Sequence, residues 1–375
     1  DELIIINAKE VVTLDQEIEI TEAIVVRDDR ILDFGKYKKL IQKYPNASLD
    51  NRYKDDVIVP GFIEHHIHPF LSAITMNAEI IAIEGWSLPN NQSKAYRDRT
   101  AYLDRLNEIE ESMEDNSPLV TWGFHHYFHG ELTRDDLDKI SNERPILVMH
   151  RSYHEFILNT PALKYFEITQ DFVDALDEEA REYADFERGH FSEQGMISVF
   201  PKLLKYLGKP DYLLSGLQLT KEYLHQNGVT MIANPGAWLI RSIQDAKNLI
   251  LGNEDTPFRS YFFPSALILS ETYQVSELIE QAEALLEWGE GKVEYLPKRI
   301  KLFSDGAMYS QNMVLRDGYL DGHHGAWLMQ EDLFRSVFKI FWDADFQIHI
   351  HPVSYTHLRA HETDSYLVCR LLLEK

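Results

Sequence analysis

One short segment limits the fold of this chain more than any other. An apolar, β-branched run at residues 57–59 stops at Pro60-Gly61 and is followed by His66 and His68. Alternate side chains of a strand share one face, so this spacing on a strand directs both imidazoles to the same point. Two imidazoles supply two of the three or four ligands that a first-row divalent ion needs. The segment therefore predicts a buried parallel strand ending at a metal site; the alternative is a strand end with two solvated or core histidines.

The end of the chain predicts a non-native tail. Residues 353–363 (VSYTHLRAHET) match the translation of a transposase sequencing adapter, and residues 367–375 (LVCRLLLEK) match that of the flow-cell adapter which follows it. Two matches in the right order favour an adapter-derived tail at 353–375 over a genuine histidine-rich helix. We therefore expect the natural sequence to be interrupted near Pro352 and the truncated chain itself to be inactive.

Composition and charge limit the partners. The only cysteine, Cys369, lies in that tail, so the rest of the chain forms no disulfides. A net charge of −24 argues against nucleic acid and anionic membranes as partners. No apolar run approaches the ~18 residues that cross a bilayer, and no signal peptide is recognisable. These features predict a soluble, cytoplasmic protein.

The first part of the chain has the pattern of a small β domain. Alternating, β-branched runs occupy residues 2–13 and 22–34, and the second run folds over Asp28-Asp29 as a hairpin. A short helix is predicted at residues 36–44. We expect this β domain to span residues 1–56.

The rest of the chain alternates strands with helices. Strands are predicted at 228–234, 259–266, 299–303 and 346–351, and helices at 211–227, 273–289 and 331–343. This alternation predicts parallel strands with crossover helices. Residues from about 70 to 210 contain helices, two acidic runs and one strand candidate at 145–149. This segment is too long for one crossover, so it is interpreted as an insertion.

Polar residues fall where such a sheet would carry a site. A β/α barrel places its chemistry at the C-terminal ends of its strands, where Asp305-Gly306 and His351 also lie. Lys301 is inside an apolar strand, where a charged amine is costly to bury. Reaction of the neutral amine with carbon dioxide would avoid that cost and give a carbamate that can bridge two metals. The alternative is a surface lysine that reaches solvent from a strand edge.

These residues resemble the amidohydrolase superfamily, and within it amidohydrolase family 3, which includes N-substituted formamide deformylases. The family pattern proline-glycine-hydrophobe-acid-x-His-x-His corresponds to residues 60–68, and its Lys-hydrophobe-x-x-Asp-Gly pattern corresponds to residues 301–306. The family's fifth-strand histidine falls on His351. Weaker similarities are Trp122-Gly123, residues 132–140, and His154 with residues 159–163.

The resemblance implies a fold and its boundaries. The fold is α/β, a (β/α)8 TIM-type metal-dependent hydrolase barrel with a small N-terminal β-sandwich domain. Residues 1–56 would form part of the sandwich. Residues 57–352 would form the first part of the barrel, truncated after about five strands and interrupted by the insertion. The family's sixth-strand histidine and eighth-strand aspartate would lie beyond the interruption.

The resemblance also implies a site and a reaction. One or two divalent ions, with zinc expected, would be held by His66, His68, His351 and a carbamylated Lys301. Lys301, Asp305 and His154 form the implied catalytic set, although His154 is equally explained as an ordinary loop histidine. Metal-activated water would cleave a non-peptide carbon–nitrogen bond of an amide, formamide or cyclic amide in a small molecule. Ring deamination and a non-catalytic metal-binding role are the alternatives. Formation of a homo-oligomer by the complete protein is a further possibility that the resemblance leaves open.

The remaining histidine pairs lack such a context. His125-His126 and His323-His324, together with His129, follow no strand pattern that would bring them to one point. They are interpreted as surface or structural residues.

Overall fold

The computed structural model describes residues 2–308 and 311–351. The predicted tail at 353–375, with Cys369, lies outside these residues. The chain divides into two compact units, Asp1–Ile63 and Glu64–Lys375. None of the described helices is both long enough and apolar enough to cross a membrane.

The first unit is built on a four-stranded sheet with the order β3-β2-β1-β4. Its elements are β1 (Leu3–Val12), β2 (Ile20–Arg27), β3 (Arg30–Gly35), α1 (Tyr37–Lys43) and β4 (Ser48–Ile58). The predicted hairpin turn joins β2 to β3, and Asp28 adopts a φ of 54°, which aspartate tolerates better than most residues. Leu40 of α1 packs on Ile5 and Val25 of the sheet. The predicted strands and helix of this region are therefore present.

The histidine pair does not follow directly from a buried strand at residues 57–59, which the sequence predicts. Val57 and Val59 are each 50% exposed, so a buried strand at residues 57–59 is wrong. β4 ends at Ile58 because Pro60 has no N–H to donate to the ladder. A separate three-residue strand, β5 (Phe62–Glu64), follows. His66 and His68 lie on the loop after β5, and the helix α2 (Pro69–Asn77) begins directly after His68.

The first half of the second unit forms its own six-stranded sheet, with the order β12-β13-β11-β10-β9-β6. Only β10 was predicted, near residues 145–149. The strands are β6 (Glu79–Ile80), β9 (Leu119–Phe124), β10 (Ile146–His150), β11 (Glu155–Leu158), β12 (Ala184–Asp185) and β13 (His190–Ser192), with a separate pair β7 (Trp86–Ser87) and β8 (Gln92–Ser93). The helices are α3 (Arg99–Ser112), α4 (His126–His129), α5 (Arg134–Ile140), α6 (Thr160–Tyr165), α7 (Gln170–Asp174), α8 (Glu178–Glu182) and α9 (Glu193–Leu207).

The second half of this unit contains the predicted parallel strands. β14 pairs with β15 and β15 with β16, whereas β17 pairs with β18, all in parallel. The strands are β14 (Val229–Ala237), β15 (Arg259–Pro264), β16 (Val293–Tyr295), β17 (Arg299–Phe303) and β18 (Gln347–His351). The helices between them are α10 (Pro210–Gln226), α11 (Arg241–Leu251), α12 (Ala266–Thr272), α13 (Leu278–Ala284) and α14 (Glu331–Asp343). A bridge between Ser265 and Lys301 links the end of β15 to β17. The predicted α/β class is confirmed.

The predicted helix at 273–289 is shorter than expected. The structure has α13 there, flanked by two 3-10 turns at Val275–Glu277 and Leu285–Trp288. The helix predicted at 331–343 coincides with α14. Ile300 and Leu302 on β17 are fully buried in the main core, against which Ile348 and Ile350 on β18 pack. The intervening residues of both strands therefore point to the other face.

Candidate metal centre

Lys301 lies on that other face of β17 and is fully buried. Its Nζ has no hydrogen-bond partner among the residues that the structure describes, and it lies 5.2 Å from the centre of the Phe303 ring. Burial lowers the pKa of Lys301 to about 7, so the neutral amine is well populated at neutral pH. The alternative of a surface lysine reaching solvent is therefore wrong.

A glycine on β14 makes room for this lysine. Gly236 of β14 has a φ of +90°, which glycine adopts at little cost. A methyl group on it would lie 3.1 Å from Lys301 Cγ. The Lys301 stem therefore occupies space that a side chain at this position would fill.

Imidazoles gather around the amine. In the parallel register Lys301 faces His349 and Phe303 faces His351. The ring of His66 lies 5.3 Å from that of His68 and 5.4 Å from that of His349, centre to centre. The loop that carries the first two histidines is fixed beside β14, since the Ile67 amide donates a 3.0 Å hydrogen bond to the Ala233 carbonyl.

These histidines are held in the form that binds metals. Burial, with a smaller effect of the nearby Lys301 charge, lowers the pKa of His349 to about 4 and that of His351 to about 3. Burial also lowers the pKa of His68 to about 4 and shifts the pKa of His66 downward. All four rings are therefore neutral at pH 7, as metal ligation requires.

One contact orients a ligand nitrogen, and a second nitrogen lies buried without a partner. His68 Nδ1 lies 3.0 Å from Asn234 Oδ1, and because the amide oxygen is an acceptor, the proton belongs on Nδ1. That leaves His68 Nε2 with a lone pair for an ion. His351 Nε2 is buried and has no hydrogen-bond partner within the described part of the chain. A buried amine and a buried imidazole nitrogen, both without partners, together with neutral imidazoles, fit a divalent first-row ion.

A histidine–glutamate pair lies beside this cluster. The His154 ring stacks over that of His351, with 6.0 Å between centres and 22° between planes. Its Nδ1 is 2.8 Å from Oε2 of Glu193, which is fully buried. Burial alone lowers the pKa of His154, but the charge of Glu193 and this hydrogen bond outweigh it, so the pKa is raised. The structure thus brings His154 to the site with a proton-holding partner.

The loop after β17 is organised around the same glutamate. Glu193 Oε1 accepts hydrogen bonds from Asn312 Nδ2 at 3.1 Å and from the Ala307 amide at 3.3 Å. A methyl group on Gly306 would lie 2.7 Å from that oxygen, so only glycine allows this approach. Asp305 is fully buried, and its two oxygens accept from Ser304 Oγ at 2.7 Å and the Val314 amide at 2.9 Å. These bonds hold the loop in place, and a catalytic role for Asp305 stays a prediction.

Two residues of this cluster, His349 and Glu193, were not predicted from the sequence. His349 shares with His351 the same i, i+2 spacing as the first histidine pair, and that signal was available on a predicted strand. Glu193 is 39 residues from His154 and begins α9 with a φ of 41°. Nothing in the local sequence pattern indicates their contact.

The other histidines separate into two groups. His129 is buried, with Nδ1 accepting from the His125 amide at 3.0 Å and Nε2 2.8 Å from the Tyr96 carbonyl, so it is structural. His323 is bonded to Asp321 and to the Gln311 carbonyl. A surface position is wrong for His125, which is buried. It forms a separate group with His126 and His150.

The chain belongs to the amidohydrolase family, because the model of amidohydrolase family 3 matches residues 54–363. Among curated proteins it is similar to YtcJ of Bacillus subtilis (strain 168), which is named as an amidohydrolase, with 25% identity over 166 residues. That alignment covers 43% of this chain and 29% of the relative, so the chain spans less than a third of the length of that protein.

Solved structures share the fold. An uncharacterized metal-dependent hydrolase from Pyrococcus horikoshii OT3 superposes with a TM-score of 0.64 at 13% identity, covering 96% of this chain and 67% of the other. Another from Pyrococcus furiosus superposes with a TM-score of 0.62 at 15% identity, covering 94% and 67%. At these identities the two structures show a shared fold with this chain.

Proposed function

We propose that this chain carries the metal centre of a hydrolase that cleaves a non-peptide carbon–nitrogen bond in an amide, a formamide or a cyclic amide. The observation that carries the proposal is the buried, unpartnered amine of Lys301 among neutral histidines at the ends of parallel strands, in a chain of the amidohydrolase family. The proposed architecture is a (β/α)8 barrel with a small N-terminal β-sandwich. The parallel strands β14 to β18 and the helices between them support this architecture.

The proposed ligands are His66, His68, His351 and Lys301, with His349 as a further candidate. When bound, a divalent ion such as zinc acidifies water and polarises a substrate carbonyl. The protein's part is to keep these imidazoles neutral by burial, which lowers the pKa of His68 to about 4 and that of His351 to about 3.

Lys301 is proposed to react with carbon dioxide before it binds metal. The lone pair of its neutral amine forms a bond to the carbon, one C–O π pair moves onto oxygen, and the amine proton is lost to solvent. The resulting carbamate is an anion whose two oxygens can each bind an ion. Because burial brings the pKa of Lys301 to about 7, the reactive neutral amine is available at physiological pH.

His154 is proposed to serve the substrate rather than the metal. The raised pKa of His154 favours the protonated ring, and Glu193 holds that ring against His351. A protonated imidazole in this position can give a proton to the departing nitrogen or stabilise a developing oxyanion.

Metal analysis of purified protein tests the centre. We expect His66→Ala and His68→Ala each to lower the zinc content by the share that this centre holds, since each deletes a ligand. His225→Ala is the matched control, because that histidine is exposed on α10. Full metal content in both ligand variants would contradict the assignment.

Product analysis with small amides, formamides and aminated heterocycles tests the reaction. Cleavage of the first two gives a carboxylic acid and an amine, whereas ring deamination gives ammonia from the heterocycle. Ammonia from heterocycles with intact amides would replace the proposed reaction by deamination. Because the truncated chain is expected to be inactive, the assay uses the complete protein, and metal binding by it without turnover of any of these compounds would support a non-catalytic role.

A further inference from the structure

We propose a second metal site, formed by His125, His126 and His150 and separate from the centre around Lys301. The ligand nitrogens of the three histidines lie within 4.8 Å of one another. The site would take a divalent first-row ion that prefers imidazole, with Zn²⁺ as the probe. It shares no residue with the proposed hydrolytic centre.

The sheet topology creates this group. His150 ends β10, and the parallel neighbour β9 ends one residue before His125, with Phe124 paired to His150. His126 begins α4 immediately afterwards. The ring of His150 lies 5.4 Å from that of His125 and stacks 5.5 Å from that of His126. Two adjacent strand ends therefore deliver three imidazoles to one point.

The spacing is close to what an ion requires. Zn–N bonds of about 2.05 Å in a tetrahedral site place the nitrogens ~3.4 Å apart. From the 4.8 Å limit, the three nitrogens therefore need to approach one another by about 1.4 Å at most. His126 is only partly buried, so its ring can rotate to close that gap.

His150 points to a ligand independently of the grouping. Its side chain is fully buried, and its Nε2 has no hydrogen-bond partner in the described residues. The Ser152 amide donates to Nδ1 at 3.2 Å, a bond that places the proton of the neutral ring on the unpartnered Nε2. A buried donor without a partner costs free energy, and an ion on Nε2 would remove that cost.

The surroundings suit the metal-bound form of the ring. With an ion on Nε2, His150 Nδ1–H can donate to Ser152 Oγ, which is 2.7 Å away. The carboxylate of Glu155 lies 3.8 Å from the same nitrogen and offsets positive charge. Such oxygen partners typically orient metal-bound histidines. The nearby Arg151 guanidinium is paired with Glu84 at 2.8 Å, which limits its repulsion of a cation.

A three-histidine set leaves a fourth position for water or another small ligand. An ion there would tie the end of β9 and the start of α4 to the end of β10. We therefore expect zinc to stabilise this sheet even when the other centre has been disabled.

The experiment uses the full chain with His66→Ala and His68→Ala, which empties the hydrolytic centre. After chelator treatment and dialysis, we expect this protein to bind about one equivalent of Zn²⁺ and to melt at a higher temperature with zinc. Adding His126→Ala should remove that equivalent or weaken it at least tenfold and should abolish the thermal shift. Adding His225→Ala instead should leave both unchanged.

A positive variant keeps the test decisive if alanine perturbs folding. His126→Cys replaces a nitrogen ligand by a thiolate, so Co²⁺ should bind with a new sulfur charge-transfer band that the parent lacks. Unchanged zinc affinity in His126→Ala, or Co²⁺ binding to His126→Cys without that band, would overturn the proposal. Failure of the hydrolytic centre would appear separately, as unchanged metal content on introducing His66→Ala and His68→Ala.

Discussion

Lys247 gives a quantitative test of the electrostatics. It is 1% exposed in α11, and its Nζ lies 4.8 Å from the centre of the Phe262 ring. Burial lowers the pKa of Lys247 from 10.5 to about 7. The unfolded chain therefore binds a proton between pH 7 and 10.5 that the folded chain does not. Because stability rises with pH wherever the unfolded state binds more protons, this residue should make the protein more stable at pH 9 than at pH 7.

The magnitude follows from the width of that interval. Each pH unit within it changes the free energy of unfolding by about 1.4 kcal/mol. Allowing for half-protonation at pH 7, the gain between pH 7 and pH 9 is about 2 kcal/mol. Lys247→Met keeps an unbranched side chain of similar size against Phe262 and removes the titrating group. The free energy of unfolding of Lys247→Met, measured relative to that of wild type, should therefore be higher at pH 7 than at pH 9. The difference between the two proteins should change by about 2 kcal/mol between these pH values.

Urea unfolding of wild type and Lys247→Met at both pH values measures this difference. Groups that titrate in both proteins cancel in the comparison. Lys164→Met, at an exposed lysine of α6, is the matched control and should show a pH-independent difference. If Lys247→Met also gives the same difference at pH 7 and pH 9, the argument that burial dominates this lysine is refuted.

Three further outcomes follow from the site. Gly306→Ala should destabilise the protein by about 1–3 kcal/mol in urea unfolding, because its methyl group would clash with Glu193; a neutral result would mean that the loop moves freely. Lys301→Ala should abolish hydrolysis by the complete protein, and short carboxylic acids should partly restore the activity by replacing the carbamate. A free Lys301 ammonium in a metal-loaded crystal of the wild-type protein would contradict this prediction. Glu193→Gln should lower the pKa of His154 in an NMR titration, since burial then dominates. In the wild-type protein, the stabilisation that the His154–Glu193 pair supplies should be present below pH 6.5 and should fade as the pH rises through the raised pKa of His154. The same dependence of stability on pH in Glu193→Gln would contradict this prediction.

Local patterns predicted the elements that depend on local information. α14 has clear helical periodicity, and β14, β15, β17 and β18 are apolar runs bounded by turns and helices, so their positions follow from the sequence. β9 is buried on both faces and shows no alternation, which explains why most of the six-stranded sheet was missed. At residues 57–59 an apolar run was equated with burial, although the proline that follows ends the strand.

The residues of the candidate site likewise fall into those that a local sequence pattern predicts and those that it does not. Lys301 and His351 were found because they belong to strand motifs. The contact of Glu193 with His154, and that of His125 with His150, join residues that are far apart in sequence through tertiary packing. Such contacts leave no periodic signal, so only the folded arrangement reveals them.

The register of β17 against β18 has a consequence for how this site can vary. Ionisable side chains occupy one face of the two strands, and Ile300 and Leu302 fill the core on the other. Because side chains alternate with a period of two, a one-residue insertion within β17 would turn Lys301 into the core and place a leucine or isoleucine on the face where Lys301 now lies. Length changes in these strands should therefore cost folding and chemistry together, whereas the exposed turn around Leu320, between the two strands in sequence, can lengthen without altering either face. Diversification of substrate preference in such a scaffold is thus directed to the connecting segments.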